Sequence, residues 1–120
     1  MTDRPEGGTG SEGAAPTPLT RLDAGSLGAE LGERATLVQF STAFCQPCRA
    51  TRRVLDEVAG LVPGVNHVEI DAEARLDLVR AAGVERTPTV LILDAGGHVA
   101  LRAAGQPRKA DVLAGLARAL

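Results

Sequence analysis

The chain has no tryptophan and no tyrosine, and its 120 residues carry only two aromatic side chains, Phe40 and Phe44. A surface that stacks successive nucleobases on aromatic rings is therefore excluded. An excess of basic residues is also missing. Thirteen Lys and Arg stand against 15 Asp and Glu, for a net charge of −2, so there is no footprint for neutralising phosphates and nucleic acid is not an expected partner. No apolar run has the length that spans a bilayer. Residues 1–18, whose longest apolar run is Ala14-Ala15, lack the hydrophobic segment of a secretory signal. The expectation is a soluble, cytoplasmic protein with no membrane partner. Histidine is scarce too: His67 and His98 lie 19 and 50 residues beyond Cys48, unlike common zinc-finger spacings, and no metal is expected.

What is present suffices for one domain, because 44% of the residues are hydrophobic. With so few rings the core must be built from Leu, Val, Ile and Ala, packed closely. Residues 1–18, rich in Gly, Pro, Ser, Thr and Glu, predict a disordered tail, which leaves residues 19–120 as the domain. Leu19–Leu22 suits a short edge strand, and Asp23 is a good N-cap for a helix reaching Leu31 and ended by Gly32. A strand at Ala35–Ser41 and a long helix from Gln46 to Leu61 or Val62, stopped by Pro63-Gly64, come next. A strand at Val65–Ile70 and a helix at Glu73–Ala82, closed by Gly83, complete a βαβαβα order, which implies parallel pairing. The apolar run Thr89–Leu93, a turn at Asp94–Gly97 and a strand at His98–Ala103 then predict an antiparallel hairpin. The apolar spacing of Val112, Leu113, Leu116, Ala117 and Leu120 predicts a closing helix at Arg108–Leu120.

Both cysteines, Cys45 and Cys48, stand where the first long strand hands over to the long helix, with only Gln46 and Pro47 between them. The first turn of a helix has free N–H groups and the positive end of the macrodipole, and both favour a thiolate. That makes Cys45 the expected nucleophile. Cys48, one helical turn on, is within reach of a mixed disulfide formed on Cys45. In a protein without a secretory signal, two cysteines at this spacing read as catalytic or metal-binding more readily than as a structural staple.

The Cys45-Gln46-Pro47-Cys48 segment that opens a helix, together with Thr87-Pro88 directly before an apolar strand, resembles the thioredoxin family. The resemblance runs over about residues 19–120. Phe40, Leu55-Asp56-Glu57, Asp71, Gly97 and Gly105 fit further positions of the family pattern. It implies an α/β three-layer sandwich with a central mixed sheet. It also implies a cis bond at Pro88, which would lie against the cysteine pair, and a Thr87 backbone free to bind substrate by strand addition. Phe44, Gln46, Pro47 and Gly105 would join that substrate surface.

This chain departs from the family pattern at positions that bear on function. Phe44 replaces a tryptophan and would keep an apolar shield without its indole N–H. Gln39 replaces a buried aspartate that helps deprotonate the second cysteine, and an amide cannot serve as that base. His67 stands where the family has a lysine and is the candidate to supply the missing base.

The expected activity is thiol–disulfide exchange that reduces protein disulfides, by a monomer with no bound cofactor, regenerated by a thioredoxin reductase or a small thiol. Two alternatives stay open. One is a redox-inert interaction module of the same fold, and the other is a reductant dedicated to a single partner enzyme.

Overall fold

The computed structural model describes residues 18–120. The tail expected at residues 1–18 lies, but for Pro18, outside the described residues. In chain order the elements are α1 (Ala24–Leu27), β1 (Ala35–Ser41), α2 (Gln46–Leu61), β2 (Val65–Asp71), α3 (Leu76–Ala82), β3 (Thr89–Asp94), β4 (Val99–Ala104) and α4 (Lys109–Ala119). The strands lie in the order β2-β1-β3-β4. β1 is parallel to β2 and antiparallel to β3, and β3 is antiparallel to β4.

Every residue of β1 is buried, because helices cover both of its faces and successive side chains serve opposite cores. Val38 and Phe40 pack with Leu27 of α1 and with Leu78 and Ala82 of α3. Ala35 and Leu37 pack on the other face with Leu55 and Val58 of α2 and with Val112 and Leu116 of α4. Full burial of one such side chain is worth about 1.5–3 kcal/mol, so the two cores supply most of the drive to fold. Gly115 lets α4 come down on this face: a methyl there would lie 2.8 Å from Cδ1 of Ile92, inside normal contact distance. Gln39 follows Leu37 on the same side of the strand, so a polar residue is carried under the start of α2.

Four sequence expectations need correction. The edge strand expected at Leu19–Leu22 is reduced to one antiparallel bridge, Arg21 with His98. Leu22 is nonetheless buried in the core, and the chain turns away into α1 as soon as Asp23 caps it by accepting the Ser26 N–H. Helix α1 stops at Leu27 rather than Leu31, because Gly28 takes up the left-handed conformation (φ 72°) and its N–H closes on the Ala24 carbonyl. With no strand before α1, the parallel pairing is confined to β1 with β2. Finally, α3 begins at Leu76 rather than Glu73, since the N–H groups of Ala74 and Arg75 are held in a turn by the Asp71 carbonyl.

Candidate active site

Cys45 is the N-cap of α2, with extended backbone, and its Sγ accepts the Cys48 N–H at 3.2 Å. The free N–H at the helix start is thus aimed at the outer sulfur, as a thiolate there would require. The two cysteines are joined as a disulfide with Cα atoms 5.2 Å apart. Cys45 is half-buried, whereas Cys48 is 1% exposed, which matches the expected division into an accessible and an inner sulfur. Gln46 and Pro47 are exposed between them. Phe44 departs from expectation. Its ring is 97% exposed rather than laid over the pair, on a backbone with φ of 62° that turns the side chain outward. Among the described residues it shields neither cysteine.

The Thr87–Pro88 bond is cis, and Pro88 is buried. The Pro88 carbonyl accepts the Gly105 N–H at 2.8 Å. Gly105 has a φ of 88°, a conformation that suits glycine. Thr87 Oγ1 lies 3.2 Å from Oγ1 of Thr42, which ties this loop to the one that carries the cysteines. Among the described residues neither the N–H nor the C=O of Thr87 has a backbone partner. Thr42 is a site residue that sequence reasoning misses. Its only signal there is its place three residues before Cys45.

Gln39 and His67 meet as their strands predict, but the contact has another form. His67 pairs in register with Leu37 and faces α2. Its Nε2 lies 3.2 Å from Gln39 Oε1, and its Nδ1 lies 2.6 Å from Asp56 Oδ1. The Gln39 amide donates to Ser41 Oγ at 2.8 Å and to the Cys48 carbonyl at 2.7 Å. Both amide hydrogens are therefore used, which leaves Oε1 as the acceptor and makes His67 Nε2 the donor. A continuous line runs from Asp56 through His67 and Gln39 to the backbone of Cys48. Among the described residues no hydrogen bond joins His67 to either sulfur.

One strand step further along β2, Glu69 accepts two bonds of 2.8 Å from Arg52. That guanidinium holds the Glu69 carboxyl below its ordinary range. Arg52 and Asp56 are thus engaged with β2, although their spacing reads as part of a solvated helix face. Among the described residues no three His, Cys, Asp or Glu side chains converge as metal ligands, and no helix is long and apolar enough to cross a membrane.

A helix-capping cysteine bonded to a second cysteine one turn on, with a cis-proline loop tied through Thr87 to the loop that carries the pair, on a mixed sheet between helices, is consistent with a thioredoxin-type site. The thioredoxin family model matches residues 26–118, and the chain belongs to that family. It is 31% identical over 61 residues to thioredoxin M3, chloroplastic, of Oryza sativa, a match covering 50% of this chain and 35% of that protein. It is 29% identical over 77 residues to thioredoxin-2 of Pyricularia oryzae, covering 64% of this chain and 45% of that one. The chain thus spans less than half the length of these relatives. Among solved structures, Fasciola hepatica thioredoxin superposes with a TM-score of 0.64 at 21% identity, over 74% of this chain and 84% of that one. That likeness is one of fold.

Proposed function

We infer that the chain is a thiol–disulfide oxidoreductase that reduces disulfides in protein substrates. The observation that carries this reading is Cys45 at the helix N-cap, its sulfur receiving the Cys48 N–H and bonded to the buried Cys48. In the reduced protein the Cys45 thiolate attacks one sulfur of the substrate disulfide. The other substrate sulfur leaves as a thiolate and takes a proton from solvent. Cys48, deprotonated, then attacks Cys45 Sγ, releases the second substrate thiol and forms the Cys45–Cys48 disulfide. Two electrons pass to the substrate. A thioredoxin reductase or a small thiol returns them in the next cycle.

Pro88 and the open backbone of Thr87 would dock the substrate strand beside Cys45, with Phe44, Gln46, Pro47 and Gly105 on its flanks. His67 acts in this reading through Gln39 on the Cys48 turn, as a positioning residue. A reductant works where thiols are kept reduced, so the reading places the chain in the cytoplasm, acting as a monomer.

A second reading, a redox-inert binding module, is favoured by one observation: Gln39 puts an amide where a base would serve Cys48. Turnover separates the two. With dithiothreitol as electron source, the protein should accelerate reduction of a disulfide-bonded protein, and Cys48→Ser should accumulate a mixed disulfide on Cys45. Absence of both would leave the binding module. A single protein captured by the trapped variant, rather than many, would indicate a dedicated reductant.

A further inference from the structure

We propose that the groove beside the cysteine pair docks an acidic segment of the substrate protein. The proposal rests on the oxidoreductase reading and deepens it by naming the substrate's charge. Helix α2 carries Arg49, Arg52 and Arg53 in its first half and has no acidic residue in its first turn. The macrodipole favours the opposite arrangement. Arg52 is neutralised by Glu69. The only carboxylates of α2 are Asp56 and Glu57, and both are drawn elsewhere: Asp56 to His67, and Glu57 to Lys109 Nζ at 2.9 Å. Among the described residues, Arg49 and Arg53 take no carboxylate. They stand four residues apart on one helix face, where like charges repel. Among the described residues no ion pair repays that arrangement.

These two arginines, with Gln46, Pro47, Ala50 and Gln106, line an open groove of about 420 Å³. Gln106 follows Gly105, whose N–H holds the Pro88 carbonyl. The groove therefore continues the edge where Thr87 offers its backbone. Beside Gly105 lies Arg86: a methyl group at residue 105 would be 2.8 Å from its guanidinium. Among the described residues Arg86 also takes no carboxylate. Three guanidinium groups thus flank the docking edge on a chain whose net charge is −2.

Guanidinium forks match carboxylates in bidentate geometry. Carboxylates on alternate residues of an extended segment project from one side roughly 7 Å apart, within reach of two arginines one helical turn apart. The occupant that fits is an extended substrate segment with Asp or Glu on either side of its cysteine.

The test uses two disulfide-linked peptides, identical except for Glu or Lys flanking the cysteine. A small neutral disulfide, 2-hydroxyethyl disulfide, serves as the reference. For the full-length protein at low salt, kcat/KM should favour the acidic peptide by roughly tenfold, and the preference should largely vanish at about 0.5 M salt. The ratio is taken within each variant, so a general loss of reactivity cancels. The double variant Arg49→Gln with Arg53→Gln should lower the ratio about threefold or more, and so should Arg86→Gln, whereas Arg49→Lys should retain most of it.

A ratio near one in the wild type, or one that the Gln variants leave unchanged, overturns the proposal. So does a charge preference shown only by a small dicarboxylate disulfide, which would make the groove a small-anion site. Failure of the oxidoreductase reading is seen separately, as inertness toward the neutral disulfide. In that event fluorescence anisotropy with the same peptides, their cysteine replaced by alanine, still decides: tighter binding of the acidic peptide supports the groove, and equal binding overturns it.

Discussion

Gln39 is the side chain whose replacement says most about how this site is held. It is fully buried and bonded to three groups: Ser41 Oγ, the Cys48 carbonyl and His67. Gln39→Met removes all three bonds with little change of volume. At about 1 kcal/mol net per bond the loss is about 3 kcal/mol, offset by about 1 kcal/mol from burying an apolar side chain in place of the amide. The variant should therefore be about 2 kcal/mol less stable. In urea that is a midpoint shift of about 1–2 M at constant slope. Far-UV circular dichroism of the oxidised protein reads it, since the chain has no tryptophan to report unfolding by fluorescence.

The same substitution frees the first turn of α2 from β1. A looser Cys48 should attack a mixed disulfide on Cys45 about tenfold more slowly, followed as release of a fluorescent thiol in single turnover. Gln39→Asp separates holding from base catalysis. Its carboxylate cannot donate to the Cys48 carbonyl, so stability should fall at least as far as in the Met variant. It does place a base near Cys48, and the resolving step should speed up by about tenfold, below the full range for a well-positioned base because the arm is one methylene shorter. Both variants should thus lose stability, while the resolving step slows in Gln39→Met and speeds up in Gln39→Asp. Two variants slowed alike would refute the account of Gln39 as a holder standing where a base could act. A midpoint shift in Gln39→Met below about 0.3 M would refute its energetics.

Two further perturbations test neighbouring parts. Glu69→Gln removes the paired carboxylate and should cost up to about 1 kcal/mol at pH 7, the range for a partly exposed ion pair. Because Arg52 lowers the Glu69 carboxyl in the folded state, the contribution is complete above the ordinary value of 4.5 and disappears as pH falls through the folded-state value. Urea midpoints of wild type and variant should therefore converge in acid, and a gap that persists there would show that packing, not charge, was lost. Gly105→Ala forces an alanine to a φ of 88° and should cost about 1–2 kcal/mol. The Arg86 guanidinium can swing aside, so a loss well beyond that range would mean the Pro88 contact had also broken.

Apolar period and turn punctuation are legible in this sequence, whereas the direction of side chains between elements is not. The apolar run before the cysteines marks β1, and the helix after Cys45 begins where the cap chemistry puts it. The parallel neighbourhood of β1 and β2 is enough to bring Gln39 to His67. It does not show that Arg52 and Asp56 turn toward β2, because that depends on how α2 crosses the sheet, and both residues also fit a solvated helix face. Nor does a phenylalanine carry any sign that its backbone will take a positive φ and turn the ring to solvent.

The departures from the family pattern at residues 39 and 67 look independent in the sequence, but the geometry makes them one change. A carboxylate at position 39 would face the Cys48 carbonyl, acceptor against acceptor, where the Gln39 amide now donates at 2.7 Å. With both of its hydrogens spent, that amide needs a donor at its oxygen, which His67 Nε2 supplies, while Asp56 takes the other ring nitrogen. Each of the three residues is the partner that the next one requires. A substitution at residue 39 that removes the acceptor oxygen, such as Gln39→Met, is therefore expected to strand His67 Nε2 as well as the Cys48 carbonyl, whereas a carboxylate there gives up the bond to the Cys48 carbonyl but keeps an acceptor for His67.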